Sequence, residues 1–226
     1  METDSGWPML SPFVPARTVA DMTDVIGDQL PTSFWVFVSR SNFLAAHNVA
    51  AVGQITSPSV VARITGKEEE YLAAIPNPDA TGAVSQFGLS LLGRYWSEYN
   101  GELLRRQEFP GKPSRFGALF AFGDFQTCEK VAEKHHWDIS EVREFKPLLV
   151  ANWGRFDMSL VTLMNGVTAR SNLPFSDMTL WRAYWSGSGE GAAWTMPSAT
   201  NLGEMETFSS GEPVWEYLID GSLKLA

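Results

Sequence analysis

The chain has 226 residues, 44% of them hydrophobic and 19% charged, with a net charge of −9. This is the balance of a globular protein able to bury a substantial core, and it excludes a wholly disordered chain. The acidity argues against an extended surface gripping a phosphate backbone, since no basic run exceeds Arg105-Arg106, and the lone Cys128 excludes an internal disulfide.

Residues 1–31 carry Pro8, Pro12, Pro15 and Pro31 and few periodic apolar positions, so they read as an extended N-terminal arm. They lack the basic start and apolar core of a signal peptide. No stretch approaches the ~18 apolar residues of a membrane span, and a cytoplasmic, membrane-free protein is expected. The run TSFWVFVSRSNF (32–43) reads as a strand buried on both faces. A short strand is expected at VVARIT, and a short helix at 68–75, ended by Pro76 and Pro78. The clearest helix is 84–108, where Val84, Phe87, Leu91, Leu92, Tyr95, Tyr99 and Leu103 form one apolar stripe.

FPGKP (109–113) breaks that helix, and SRFGALFAF (114–122) reads as a strand. A helix capped by Asp124 follows, with Val131 and Ala132 inside and Cys128 as a small buried residue. ISEVREFK (139–146) reads as a strand. A helix near 176–186 opens at a capping Ser176 and carries Met178, Trp181, Tyr184 and Trp185. The Gly-, Ser-, Thr- and Pro-rich stretch 187–212 reads as one long loop, and PVWEYLID (213–220) as a late strand. Helices and strands mix without regular alternation, which predicts an α+β class, with 32–226 as a single domain behind the arm.

Strand alternation puts several polar residues among apolar neighbours. Arg40 closes the row Phe34, Val36, Val38; it either pairs with an anion, a pyrophosphate being one candidate, or reaches solvent at the strand end. Ser114 and Arg115 stand at the lip of the strand after the proline turn, placed either to meet a ribose and a phosphate or as an ordinary turn serine with a solvated arginine. Glu216 shares a face with Val214 and Leu218, while Trp215, Tyr217 and Ile219 share the other. A carboxylate on such a face is costly unless paired or used, which singles out Glu216 over Glu144, Glu204, Glu206 and Glu212. His135 and His136 end a helix, with no further ligands at metal spacing, so no metal is expected. No nucleophile elbow, dinucleotide fingerprint or phosphate loop is present.

The run Phe109-Pro110, Pro113-Ser114-Arg115-Phe116 and Phe120, followed by a helix, is similar to a group of bacterial and phage proteins. Tyr184-Trp185-Ser186-Gly187 and the tail Trp215-Glu216-Tyr217-Leu218 extend the likeness over the second half of the chain. That group resembles the ADP-ribosyltransferase superfamily. The resemblance implies a split β-sheet core with flanking helices and NAD as co-substrate. By position it implies Glu216 as the catalytic carboxylate, with Arg40, Ser114, Arg115 and Phe116 binding NAD: Arg40 and Arg115 at the pyrophosphate, Ser114 at the nicotinamide-side ribose, Phe116 by the nicotinamide. The reaction implied is mono-ADP-ribosylation of a macromolecular acceptor, protein or nucleic acid, by a toxin or a phage-defence or counter-defence effector. An antitoxin or immunity protein would be its partner. Ser114 is not in a Ser-Thr-Ser triplet, and Val214 stands where a second Glu would serve modification of arginine. Two other readings remain: a non-enzymatic binding protein on the same fold, and a hydrolase pairing Glu216 with a second carboxylate such as Asp157.

Overall fold

The computed structural model of the protein describes residues 29–65, 86–171, 176–198 and 200–226. Most of the expected arm and the whole expected helix at 68–75 lie outside the described residues. The described chain is α+β. Its strands are β1 (Phe34–Phe37), β2 (Gln54–Thr56), β3 (Leu119–Phe122), β4 (Val142–Asp157), β5 (Ala193–Pro197), β6 (Met205–Ser209) and β7 (Trp215–Leu225). Its helices are α1 (Phe43–Val52), α2 (Pro58–Thr65), α3 (Gln86–Glu108), α4 (Phe125–His135), α5 (Met158–Ser171) and α6 (Met178–Ser186). Among the described residues, none of these helices is long and apolar enough to cross a membrane.

The main sheet has the order β2-β7-β3-β1-β4, and every pairing in it is antiparallel. Strand β4 also pairs with β7 from Phe145↔Leu225 to Asp157↔Trp215, so β7, β3, β1 and β4 form a closed circuit. It can serve both β1 and β7 because it bends at register shifts between Pro147 and Leu149 and between Val150 and Asn152. A proline that cannot donate to the ladder sits naturally at such a bulge. Apolar side chains pack on both faces of the sheet. Phe34, Ile55, Phe145, Ile219 and Leu223 fill one side; Phe156, Leu160, Met164, Trp181, Trp185 and Leu218 fill the other, beneath α5 and α6. Burying both faces fits β7, where Leu218 packs on one side of the sheet and Ile219 and Leu223 on the other.

Several elements differ from the sequence-based expectation. The strand expected over 32–43 stops at Phe37, because Ser39 accepts from the Ser41 N–H at 3.3 Å and Asn42 caps α1 by accepting from Ala45 N–H at 3.2 Å. These local bonds draw the backbone out of the ladder. VVARIT is helical, part of α2: Pro58 occupies the first helical position, and Ser57 accepts from Val60 N–H at 3.4 Å. The β-preference of Val and Ile loses to these start signals. Residues 114–118 turn before β3, with Ser114 C=O accepting from Gly117 and Ala118 at 3.1 and 2.9 Å. The long loop at 187–212 contains the hairpin β5–β6, whose alternating Trp194, Met196 and Phe208 pack against the core. Helix α6 is capped by Asp177, one residue after the expected Ser176.

Helix α3 confirms the expected helix from Gln86 onward; of the expected inner face, Val84 and the side chains of Phe87, Leu91 and Leu92 lie outside the described residues, and the face from Tyr95 onward differs. Tyr95 and Leu103 are exposed, while Ser97, Gly101, Glu102 and Leu104 turn inward. Gly101 allows this, since a Cβ there would lie 2.6 Å from the Trp181 ring, and Trp185 Nε1 donates to the Gly101 carbonyl at 2.9 Å. Asp124 caps α4 as expected, accepting from Thr127 N–H at 2.6 Å. Cys128 is buried on that helix; burial, with the charges of Asp124 and Glu129, pushes its thiol up to about 12.

Candidate functional site

Strand β7 carries Glu216 into the sheet interior, where the side chain is 4% exposed. Its neighbours on β3 and β4 are Phe122 and Phe156. A carboxylate in such surroundings needs partners, and it has two on one oxygen. Tyr184 of α6 donates to Oε1 at 2.7 Å, and Arg115 Nη1 donates to the same atom. Arg115 also donates from Nε and Nη2 to Glu98 of α3, at 2.8 and 3.1 Å, and from Nη1 to the Tyr184 oxygen at 2.7 Å. One guanidinium therefore ties a helix carboxylate to a strand carboxylate. Its carbon also lies 4.9 Å from the centroid of Phe120.

Burial alone would lower the Arg115 pKa, but the charges of Glu216 and then Glu98 outweigh it and hold the group well above its ordinary range. Burial raises Tyr184 well above 10, so it stays a phenol and a donor. Among the described residues no hydrogen bond falls on Glu216 Oε2. The carboxylate is thus anchored through one oxygen and open at the other.

Glu216, Arg115 and Glu98 line a cavity of about 680 Å³. Aromatic side chains build much of its wall: Phe37 of β1, Phe120 and Phe122 of β3, and Trp137 after α4. Met158, Val161, Thr162, Asn165, Gly166 and Ala169 close it from α5, at the three- and four-residue spacing of one helix face. His135 adds an imidazole whose pKa burial lowers below 6.5, helped by Lys134 and His136, so it is neutral at pH 7. The size lies in the range of small-molecule sites, and a few polar groups converge on an aromatic wall. Among the described residues no group of His, Cys, Asp or Glu could hold a metal ion.

Of the residues singled out in the sequence, Arg115 and Glu216 meet in this cavity; Arg40, Ser114 and Phe116 do not line it. Arg40 is exposed in the turn after β1, where its backbone N–H donates to Glu141 at 2.9 Å and its charge helps lower Asp138. Ser114 faces away, donating to Glu102 at 2.9 Å in a separate groove. Phe116 lies in the turn that resets the alternation, so Phe120 takes the place beside Arg115. Arg115 itself is directed to carboxylates rather than to a phosphate. Asp157 does not share the cavity: it is fully buried and accepts from Ser159 and Val214 N–H at 2.9 and 3.0 Å, which removes it as the second carboxylate of a hydrolytic pair.

Glu98 and Tyr184 were not legible as site residues. Glu98 and Glu102 stand four apart on α3, which marks a shared face, but nothing local names Ser114 and Arg115 as their partners. No family model matches the chain, and no curated protein matches it.

Proposed function

We propose that this protein is an NAD-dependent mono-ADP-ribosyltransferase on an ADP-ribosyltransferase-like split-sheet core, with Glu216 as its catalytic carboxylate. The observation that carries this reading is the state of that side chain: Oε1 is fixed by Arg115 and Tyr184, while Oε2 has no hydrogen bond among the described residues, in the wall of an aromatic cavity. In this reading the nicotinamide end of NAD enters between Phe120, Phe122 and Trp137. The bond between ribose C1′ and the nicotinamide nitrogen breaks, and its electron pair neutralises the pyridinium. A nucleophile of the acceptor bonds to C1′ and gives up its proton. Glu216 Oε2 accepts a hydrogen bond from a ribose hydroxyl as positive charge develops on the sugar, an effect worth ~3–4 kcal/mol for one well-placed group.

Arg115, Glu98 and Tyr184 act as positioning residues for Glu216 rather than as phosphate ligands. Arg40 and Ser114 have no contact with the reacting ribose. The acceptor is a macromolecule, protein or nucleic acid, and the biological setting is that of a toxin or phage-defence effector with a neutralising partner protein.

A second reading has its own support. Arg115 and Glu216 form a compensated buried pair, as expected if the network holds together a non-enzymatic binding protein. Nicotinamide release and transfer of labelled ADP-ribose, measured for the full chain and for Glu216→Gln, separate the two. Catalysis predicts turnover by the parent and a loss of at least about a hundredfold in the variant. Thermal protection by NAD without turnover favours the binding protein, and equal turnover by both chains removes Glu216 from the chemistry.

A further inference from the structure

We infer that the groove between α2, the end of α3 and the loop 110–114 binds the phosphate group of a small phosphorylated molecule. It has a volume of about 390 Å³ and shares no lining residue with the Glu216 cavity, so this inference does not rest on NAD chemistry. In a chain of net charge −9, Arg63, Arg105, Arg106 and Lys112 meet here against Glu102 and Asp220. Among the described residues lining the groove, the excess is positive, in the sense opposite to the whole molecule.

Part of this charge forms a fixed floor. Arg105, 12% exposed, binds both oxygens of Glu102 at 2.8 and 2.7 Å and the Lys112 carbonyl at 2.7 Å. Arg63 pairs with Asp220, which Ser59 also holds at 2.5 Å. The remaining cations are not committed in this way. Arg106 uses only Nε, on Glu102 at 3.0 Å; its terminal nitrogens make no hydrogen bond among the described residues. Lys112 is half-buried; its ammonium lies 5.8 Å from the Phe156 ring centroid and makes no hydrogen bond or ion pair among the described residues.

A guanidinium edge and an ammonium together match a tetrahedral anion, and a phosphate monoester carries about −1.5 to −2 charges at pH 7, the size of the local excess. A carboxylate would leave one cation unmet. The groove has the size of a small-ligand pocket, and the acidic remainder of the molecule disfavours an extended polyanion.

The test is calorimetric titration of the full chain, in low-salt chloride buffer, with inorganic phosphate, AMP, adenosine and a short oligothymidylate. Saturable binding of phosphate and AMP, but not adenosine, is expected. Arg106→Gln and Lys112→Gln each weaken it about tenfold or more, while Arg143→Gln, an exposed site on β4 outside the groove, leaves it unchanged. Both groove substitutions replace partly exposed side chains, and unchanged melting temperatures verify that the variants are folded. Absence of saturable binding to phosphate and AMP overturns the inference, as does equal binding by the groove variants. Binding of oligothymidylate more tightly than AMP overturns it in favour of a polynucleotide surface.

Discussion

Glu98 and Glu102 lie one helical turn apart on α3 and anchor consecutive residues of the turn before β3: Glu98 holds Arg115, and Glu102 holds Ser114. The peptide between Ser114 and Arg115 thus separates two polar sites, one at the buried carboxylate of Glu216 and one in the basic groove. The inward rotation of α3 follows from this demand as much as from apolar packing.

The two carboxylates on Arg115 differ in exposure, 23% for Glu98 and 4% for Glu216, so their removal has unequal effects. Glu216→Gln is expected to cost about 3–5 kcal/mol, the range for breaking a buried pair. Glu98→Gln, discounted for solvent screening, is expected to cost about 1 kcal/mol. Urea unfolding midpoints at constant m-value check the order; equal costs would show that solvent reaches both pairs alike.

Tyr184→Phe removes a donor to Glu216 while keeping the ring stacked on Phe156, whose centroid lies 5.0 Å away. A stability loss of about 1–3 kcal/mol is expected. If Tyr184 positions the carboxylate for NAD cleavage, kcat falls while KM stays nearly constant. A change confined to stability would leave Tyr184 a packing residue.

Burial by itself raises the Glu102 pKa, but the hydrogen bond and charge of Arg105, with Arg106 and Ser114, outweigh it and hold the carboxyl below its ordinary 4.5. A depressed folded pKa gives stability that is present above 4.5 and is lost as pH falls through the folded value. Acid titration of the unfolding free energy is therefore expected to steepen below pH 4.5, and Glu102→Gln to flatten that limb while lowering stability near pH 7. Glu108 and Asp138 also have lowered pKa values, and both are exposed, so their share of the acid limb shrinks in high salt whereas that of Glu102 persists.

Two helical glycines should respond with opposite signs to the same substitution. Gly166→Ala adds a methyl where, outside its own helix backbone and chain neighbours, nothing among the described residues lies within 4 Å, and it is expected to stabilise by about 0.5–1 kcal/mol through helix propensity. Gly101→Ala gains the same propensity but drives a methyl into the Trp181 ring, and overpacking of about 1–3 kcal/mol wins. Paired thermal melts check this, and a stabilised Gly101→Ala would mean the ring moves aside freely.

The sequence made the amphipathic helix 84–108, the Asp124 cap and the buried carboxylate at 216 legible because each rests on local pattern. From Tyr95 onward it misplaces the inner face of α3, since Ser97, Gly101 and Glu102 are buried by partners distant in the chain. It made β1 too long and turned α2 into a strand because β-branched and aromatic residues favour extended backbone until a proline or capping side chain decides otherwise. The hairpin at 193–209 was hidden by Gly and Ser composition, although Trp194, Met196 and Phe208 already alternate. For the site, Glu216 is legible as a polar residue among hydrophobes and Arg115 through the PSRF run, but the pairing of Arg115 with Glu98 is a long-range fact that no spacing encodes.

Strand β7 follows all of its partners, β2, β3 and β4, in the chain and joins them in one sheet. During vectorial synthesis those earlier strands emerge with open edges and must wait for residues 215–225 before the sheet can close. Glu216 arrives with that final strand. Arg115 thus spends the nascent stage without its deepest counter-ion, and a chain ending before residue 215 has neither the closed β7–β3–β1–β4 circuit nor the buried carboxylate of Glu216, an ordering that ties any activity of this protein to completion of its fold.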